Sequence, residues 1–264
     1  MILRNFFKDM KSLPKYKCLI RNLVSRDLTL KYRASIMGYL WSMLNPLMLI
    51  ITYIIAFKYI LGMRSISRSQ IIVGVVLWTF CATAMMSSVK AILTSAPLLQ
   101  KVTFPRVIPV ISTQIFCLIQ HLIVYPVLFI TLLVLKKFPN FNWLYVFLIL
   151  ILLNIMLFGM GLFLSTVNIF YRDVEHFLAI AIRILFWFTP IVYNISILSE
   201  RRFLKYIIAY TPFSPFVRSM TAVLCDGHPI PVECGIQMVS YSVAALGVGI
   251  VCFYSFQHRF VEAI

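Results

Sequence analysis

The sequence predicts an all-α membrane protein with six transmembrane helices, and three observations carry that prediction. The 264 residues are 61% hydrophobic with a mean hydropathy of +0.94, and only 12% are charged. A water-soluble domain of this size has too little polar surface to cover so much apolar side chain. Several runs of 20 or more residues are almost free of charge, the length that crosses a hydrocarbon core of roughly 30 Å. The 24 Lys and Arg against 8 Asp and Glu give a net charge of +16, and the cations gather at the ends of those runs. That distribution points to anionic lipid headgroups and a lipid-linked substrate, with no nucleic-acid partner.

Residues 1–34 read as cytoplasmic interfacial helices. Ile2, Leu3, Phe6, Phe7, Met10 and Leu13 recur at helical spacing until Pro14 interrupts them. Tyr16, Leu19, Ile20, Leu23 and Val24 resume the pattern, with Lys17, Arg21, Arg26, Lys31 and Arg33 between them. A basic amphipathic helix lies in the headgroup plane. No cleavable signal peptide is expected in this stretch, which lacks an uninterrupted apolar core.

Residues 35–264 form the membrane domain, with spans at roughly 36–61, 70–92, 108–135, 143–168, 177–198 and 236–257. An even number puts both termini on one side, and the nine basic residues before position 36 make it the cytoplasm. Inner segments then hold fourteen Lys or Arg and outer loops eight.

Between spans two and three, residues 95–104 form a short cytoplasmic helix. Thr94 or Ser95 suits its cap, Pro97 its first turn, and Pro105 stops it from running on. Its mix of apolar and basic residues fits another protein's groove or a plain connecting loop. Tyr171 to His176 make a charged inner turn. Segment 199–235 is too polar to span yet carries Phe203, Tyr206, Tyr210, Phe213 and Phe216, with Pro212 and Pro215 interrupting it. A re-entrant hairpin and an amphipathic outer loop both fit that pattern.

Catalytic signatures are missing. There is no GxxxxGK[ST] phosphate loop, no HExxH and no GxSxG, and none of the eight acids sits in the middle of a predicted span. The expectation is a chain that is not an enzyme, holds no metal and binds no cofactor. The six cysteines show no CxxC spacing; they read as small buried hydrophobes, with a Cys225–Cys234 disulfide as the alternative in an oxidising space.

Several spans carry a polar stripe. Trp41, Asn45, Thr52 and Tyr59 share an arc of the first, with Ser42 and Tyr53 beside it. Gln114, Cys117 and His121 align in the third, and Asn154, Gly161, Ser165 and Asn168 in the fourth. Such groups commonly hold helices together, and His121 reads best as a satisfied interhelical hydrogen bond. In the fifth, Ala179, Arg183, Phe186, Pro190 and Tyr193 share a face, putting a cation below two aromatic rings. Arginine at that depth snorkels or meets an anion such as phosphate.

Five stretches in order resemble one family: Gly38 to Leu47 (GYLWSMLNPL), Lys101 to Arg106 (KVTFPR), Asn168 to Asp173 (NIFYRD), Phe186 to Tyr193 (FWFTPIVY) and Tyr210 to Pro215 (YTPFSP). They resemble the permease subunit of bacterial ABC exporters that move polysaccharides and polyols on lipid carriers. The one departure is Thr211-Pro212, where the family often has Asn-Pro. The resemblance implies a homodimeric permease in the bacterial cytoplasmic membrane, paired with two ATPase subunits that bind the ATP and Mg. It implies an ATPase-coupling segment with Leu98, Gln100, Lys101, Phe104, Pro105 and Arg106. It also implies re-entrant outer gate helices between spans five and six, with Tyr210, Pro212, Phe213, Pro215 and Phe216. The cargo it implies is an undecaprenyl-type lipid-linked glycan of the O-antigen, capsular or teichoic class. On that basis Arg26, Lys31 and Arg33 attract the phosphates at the inner leaflet. Trp41, Asn45, Tyr53, Arg183, Phe186 and Tyr193 line the path. An ABC permease for another lipid or drug, and a membrane enzyme acting on lipid-linked sugars, are the rival readings.

Overall fold

The computed structural model describes residues 2–33, 37–38, 40–56, 67–193 and 202–260, and among these there is no β-strand. The helices in order are α1 (Ile2–Ser12), α2 (Lys17–Tyr32), α3 (Leu40–Ile54), α4 (Arg68–Thr94), α5 (Ala96–Lys101), α6 (Ile108–Val134), α7 (Tyr145–Phe170), α8 (Val174–Phe188), α9 (Arg202–Ala209), α10 (Ser214–Thr221) and α11 (Val232–Phe256). Four of the described helices, α4, α6, α7 and α11, are long and apolar enough to cross a membrane. Helices α3 and α8 have 15 residues each, about 22 Å at 1.5 Å per residue. The first predicted span runs on into residues 57–61, outside the described residues. The fifth stops ten residues before its predicted end, because the residue before a proline leaves the α region: Thr189, ahead of Pro190, has φ −105° and ψ 133°.

Helix α4 is the hub. It is buried continuously from Ile71 through Trp78, as a helix apolar on all sides must be, and α3, α6, α7, α8 and α10 surround it. Small and polar residues set how close its neighbours come. Gly161 of α7 faces Ser88, and the Asn168 amide donates to the Val89 carbonyl at 3.0 Å. The tightest approach joins α7 to α11, where a side-chain carbon on Gly249 would fall 2.1 Å from the Gly159 carbonyl oxygen. Beside it the Ser242 hydroxyl donates to the Leu152 carbonyl at 2.8 Å.

The N-terminal helices lie on this bundle. Phe6 of α1 meets Tyr254 of α11 edge-on at 6.0 Å, and the Tyr254 hydroxyl donates to Asp9 Oδ2 at 2.8 Å. Helix α2 packs along α6: Leu23 clusters with Ile108 at the start of α6, and Lys31 reaches Gln120. Those two α6 positions are about 18 Å apart along the axis, so α2 climbs the flank of α6.

The ends of the helices have identifiable causes. Lys136, in the left-handed region at φ 61°, closes α6 while the Lys137 amide donates back to the Leu132 carbonyl. After α10 a π turn, Ala222–Asp226, ends at Gly227 with φ 71°. The Asn140 and Asn142 amides both donate to the Gly227 carbonyl, at 3.1 and 2.7 Å. Cys225 and Cys234 are free buried thiols.

Non-helical chain follows α8 and is buried. Thr189, Ile191 and Val192 are fully enclosed, with Ile191 against Gly74 of α4. The last carbonyls of α8 find partners there. The Thr189 hydroxyl donates to Leu185 O at 2.8 Å, the Thr189 amide to Phe186 O at 3.3 Å, and the Tyr193 hydroxyl to Trp187 O at 2.8 Å. Bare carbonyls at membrane depth would be costly. The unwinding also takes Pro190 and Tyr193 off the helical face that Arg183 and Phe186 share.

Candidate functional site

Six of the expected path residues fall into two chambers on either side of one ridge; Arg26, Arg33 and Tyr193 line neither. Thr79 and Thr83, one turn apart on α4, border both. The first chamber, about 340 Å³, lies between α2, α3, α4 and α6 and takes Lys31, Trp41 and Asn45. The second, about 410 Å³, lies between α3, α4 and α8 and takes Tyr53, Arg183 and Phe186.

The second chamber is walled by aromatic rings. Tyr53 of α3 stacks on Phe186 of α8, centroids 5.2 Å apart and planes at 20°. Phe186 also meets Trp187 edge-on at 5.4 Å and Trp78 of α4 at 5.9 Å. Trp78 then meets Phe213, just before α10, at 5.5 Å and 83°. The rings therefore run from the chamber to the 210–216 segment. Arg183 stands exposed at the chamber wall, and no carboxylate pairs with it among the described residues. A cation beside flat apolar faces suits an anionic group followed by sugar rings. Tyr193 borders neither chamber, and its phenol is engaged with Trp187 O.

In the first chamber the Lys31 ammonium donates to Gln120 Oε1 at 2.7 Å and stands 5.9 Å from the Phe116 ring. His121 stacks on Phe80 at 4.2 Å and 9°, but its Nε2 has no hydrogen-bond partner among the described residues. Nε2 therefore does not supply the interhelical hydrogen bond expected of His121. Gln114, one turn below Cys117, does reach across to Asn154 Oδ1 at 3.4 Å.

Of the remaining basic residues, Arg26 is held by its neighbour Asp27 at 2.8 Å and Arg33 is exposed at the end of α2. Among the described residues the other ion pair joins Lys90 of α4 to Glu175 of α8 at 2.5 Å. No group of three or more His, Cys, Asp or Glu among the described residues is placed to hold a metal.

Within the 95–106 segment only Ala96–Lys101 is helical, as α5, which ends at an extended Val102 before the expected residue 104 and has no side-chain cap; the Thr94 hydroxyl turns back to the Lys90 and Ala91 carbonyls. Leu98, Leu99 and Phe104 face inward and cluster with Leu19, Ile20 and Leu23 of α2. Gln100 and Lys101 are exposed, Pro105 is half-buried, and Arg106 donates to the Gln257 carbonyl. In the 210–216 stretch Phe213, Pro215 and Phe216 are buried, Tyr210 and Pro212 are exposed, and the Tyr210 carbonyl accepts the Tyr241 hydroxyl at 2.8 Å.

Sequence reasoning passed over Thr79, Thr83, Gln120 and Trp78. The two threonines at i and i+4 in an otherwise apolar span were the available signal. Nothing in the sequence placed Trp78 between Phe186 and Phe213.

With this geometry in hand, comparison with known proteins is informative. Residues 19–225 match the ABC-2 type transporter family. Two proteins of Klebsiella pneumoniae, each named O-antigen export system permease protein RfbA, are 28% identical over 244 residues, 92% of this chain and 93% of theirs. A protein of the same name from Myxococcus xanthus is 25% identical over 260 residues, 97% of this chain and 98% of its own.

Proposed function

This chain belongs to the ABC-2 type transporter family, and from that premise we infer that it is the membrane permease of a polysaccharide exporter, driven by a separate ATPase subunit. The O-antigen class is the cargo indicated by the names of its relatives. The observation that carries the reading is the run of rings Tyr53, Phe186, Trp78 and Phe213, beside the exposed cation of Arg183. Stacking faces hold a sugar without demanding one hydrogen-bond pattern, which suits a repeating polymer that must keep moving.

In this reading two copies of the chain face each other with the aromatic chambers toward a shared path. Six spans cross the bacterial cytoplasmic membrane, α3 and α8 among them, and both termini are cytoplasmic. Segment 199–235, with Tyr210, Pro212, Phe213, Pro215 and Phe216, re-enters as the outer gate. Helix α2 presents Arg26 and Arg33 to the phosphates of an undecaprenyl-type lipid-linked glycan at the inner leaflet. Two ATPase copies bind ATP and Mg and push α5 through its exposed Gln100 and Lys101. The shared apolar cluster of α5 and α2 supports transmission of that push to the helix beside the cargo.

The test is co-purification of the tagged chain with the ATPase encoded beside it, ATP turnover of the complex, and export of the glycan in a deletion strain complemented with Tyr53→Ala/Phe186→Ala. A stable complex that hydrolyses ATP, with lipid-linked glycan stalled inside the double-variant strain, is the expected result. Normal export by the double variant, assembled at parental level, refutes the path. A chain that finds no ATPase refutes the exporter.

A further inference from the structure

We propose that Lys90 and Glu175 form a gate at the α5 end of the aromatic chamber, closed in this structure. The gate rests on the exporter reading for its purpose; its geometry does not.

The pair lies where such a gate must. The chamber is lined on α4 from Val75 to Thr83 and on α8 from Ile182 to Trp187. Lys90 comes seven residues after Thr83, and Glu175 seven before Ile182. Seven residues are about two helical turns and return to nearly the same face. Both charges therefore stand about 10 Å beyond the chamber, on the sides of α4 and α8 that line it. There the Lys90 ammonium meets the Glu175 carboxylate at 2.5 Å. Met86 and Leu178 occupy the height between the pair and the chamber on the same sides of their helices. Leu178 belongs to the main apolar core and Met86 packs against it. The chamber thus ends in an apolar layer with an ionic clasp behind it.

The pair is singular among the described residues as the one ion pair that joins two helices, since Arg26 is held by its own neighbour. With the two side chains 45% and 33% exposed, the clasp is weak. Weakness suits a contact that must part in every transport cycle. Its place in the chain suits it too. Lys90 is one turn before Thr94, the last residue of α4, and α5 begins at Ala96. A displacement of α5 reaches Lys90 before it reaches the chamber.

The test is the rate at which a thiol placed in the chamber reacts with a membrane-impermeant maleimide. Ala82 lines this chamber and not the one across the ridge, so Ala82→Cys is the reporter. The chain also carries Cys18→Ser and Cys252→Ser, which remove the native thiols that are not buried. Gln100→Cys, exposed on α5, identifies the vesicle orientation that presents the α5 side. In that orientation Lys90→Gln and Glu175→Gln should each raise the labelling rate about two- to fivefold. The swap Lys90→Glu/Glu175→Lys should return it to the parental rate. Arg172→Gln, which removes an exposed cation from the neighbouring turn, should leave it there. Parental rates in the single variants, a swap that labels as they do, or an equal rise in Arg172→Gln overturns the gate. So does equal acceleration in both vesicle orientations, which is the mark of a bundle loosened throughout. The measurement needs neither ATPase nor cargo: failure to find an ATPase would end the exporter reading and leave these rates unchanged.

Discussion

Gly249→Ala should loosen α11 from α7, and the cost follows from geometry. The added carbon would lie 2.1 Å from the Gly159 oxygen, 2.8 Å from its carbonyl carbon and 3.0 Å from its Cα, where ordinary contact begins at 3.4 Å. The obstacle is backbone and cannot rotate away, so α11 must withdraw by about 1.3 Å, the difference between 3.4 and 2.1 Å. Forcing extra atoms into a packed interface costs about 1–3 kcal/mol. Gly247 supplies the control. A carbon added there meets nothing within 4 Å, so Gly247→Ala should be neutral or gain up to about 1 kcal/mol from helix propensity. The gap between the two variants is then roughly 1–4 kcal/mol, which on soluble-domain scaling is about 2–16 °C in melting temperature. Gly161→Ala should fall between them, because its nearest neighbour is the side chain of Ser88, at 2.9 Å. The assay is thermal unfolding of the three variants in one detergent. Equal melting of Gly247→Ala and Gly249→Ala would refute the argument.

Other expectations concern the cytoplasmic side and the chamber. Lys101→Glu should reduce ATP turnover of the assembled complex severalfold while the chain itself melts as before; unchanged turnover removes that face of α5 from the ATPase contact. Phe104→Ala should instead cost stability, about 3–5 kcal/mol for a buried ring, and appear as lost expression; parental melting would refute the inward packing. Lys90→Glu and Glu175→Lys should each lower melting slightly and the double swap should restore it, since a partly exposed pair is worth about 0.2–1 kcal/mol. Additive losses in the swap would show that the pair does not act as a pair. Trp78→Ala should impair export more than Thr79→Val, because Trp78 joins Phe186 to Phe213; the reverse order would remove the ring series from the path.

How much was legible differs by element, for physical reasons. Helices α4, α6, α7 and α11 were readable because their lengths are set by runs free of charge, which hydropathy measures directly. The end of α8 was misread because Ile191 and Val192 remain as apolar as any span residue; Pro190 decides the backbone there, while hydropathy sees only the side chains. The amphipathic pattern of α2 showed that one face is apolar but could not say what that face meets, so its climb along α6 was invisible. Arg183 and Phe186 share a stripe in the sequence and do line one chamber, with Tyr53 of another span; Trp41 and Asn45, read on the same helix as Tyr53, lie across the ridge with Lys31. Helical spacing gives the side of a helix a residue occupies; only packing shows which neighbour fills that side.

The unwound end of α8 changes what a defective mutant at Tyr193 would mean. Its ring invites comparison with the stacking faces of the chamber, and a loss of export in Tyr193→Ala would be credited to cargo contact. The hydroxyl, however, serves the Trp187 carbonyl, and the Tyr193 carbonyl accepts the Gln70 amide of α4 at 3.0 Å. Tyr193→Phe separates the two interpretations: it keeps the ring and removes the hydroxyl's hydrogen bond to the Trp187 carbonyl. If that variant fails like Tyr193→Ala, the tyrosine acts as the terminal knot of its helix, and export data from this position report on the fold of the permease and carry no information about sugar recognition.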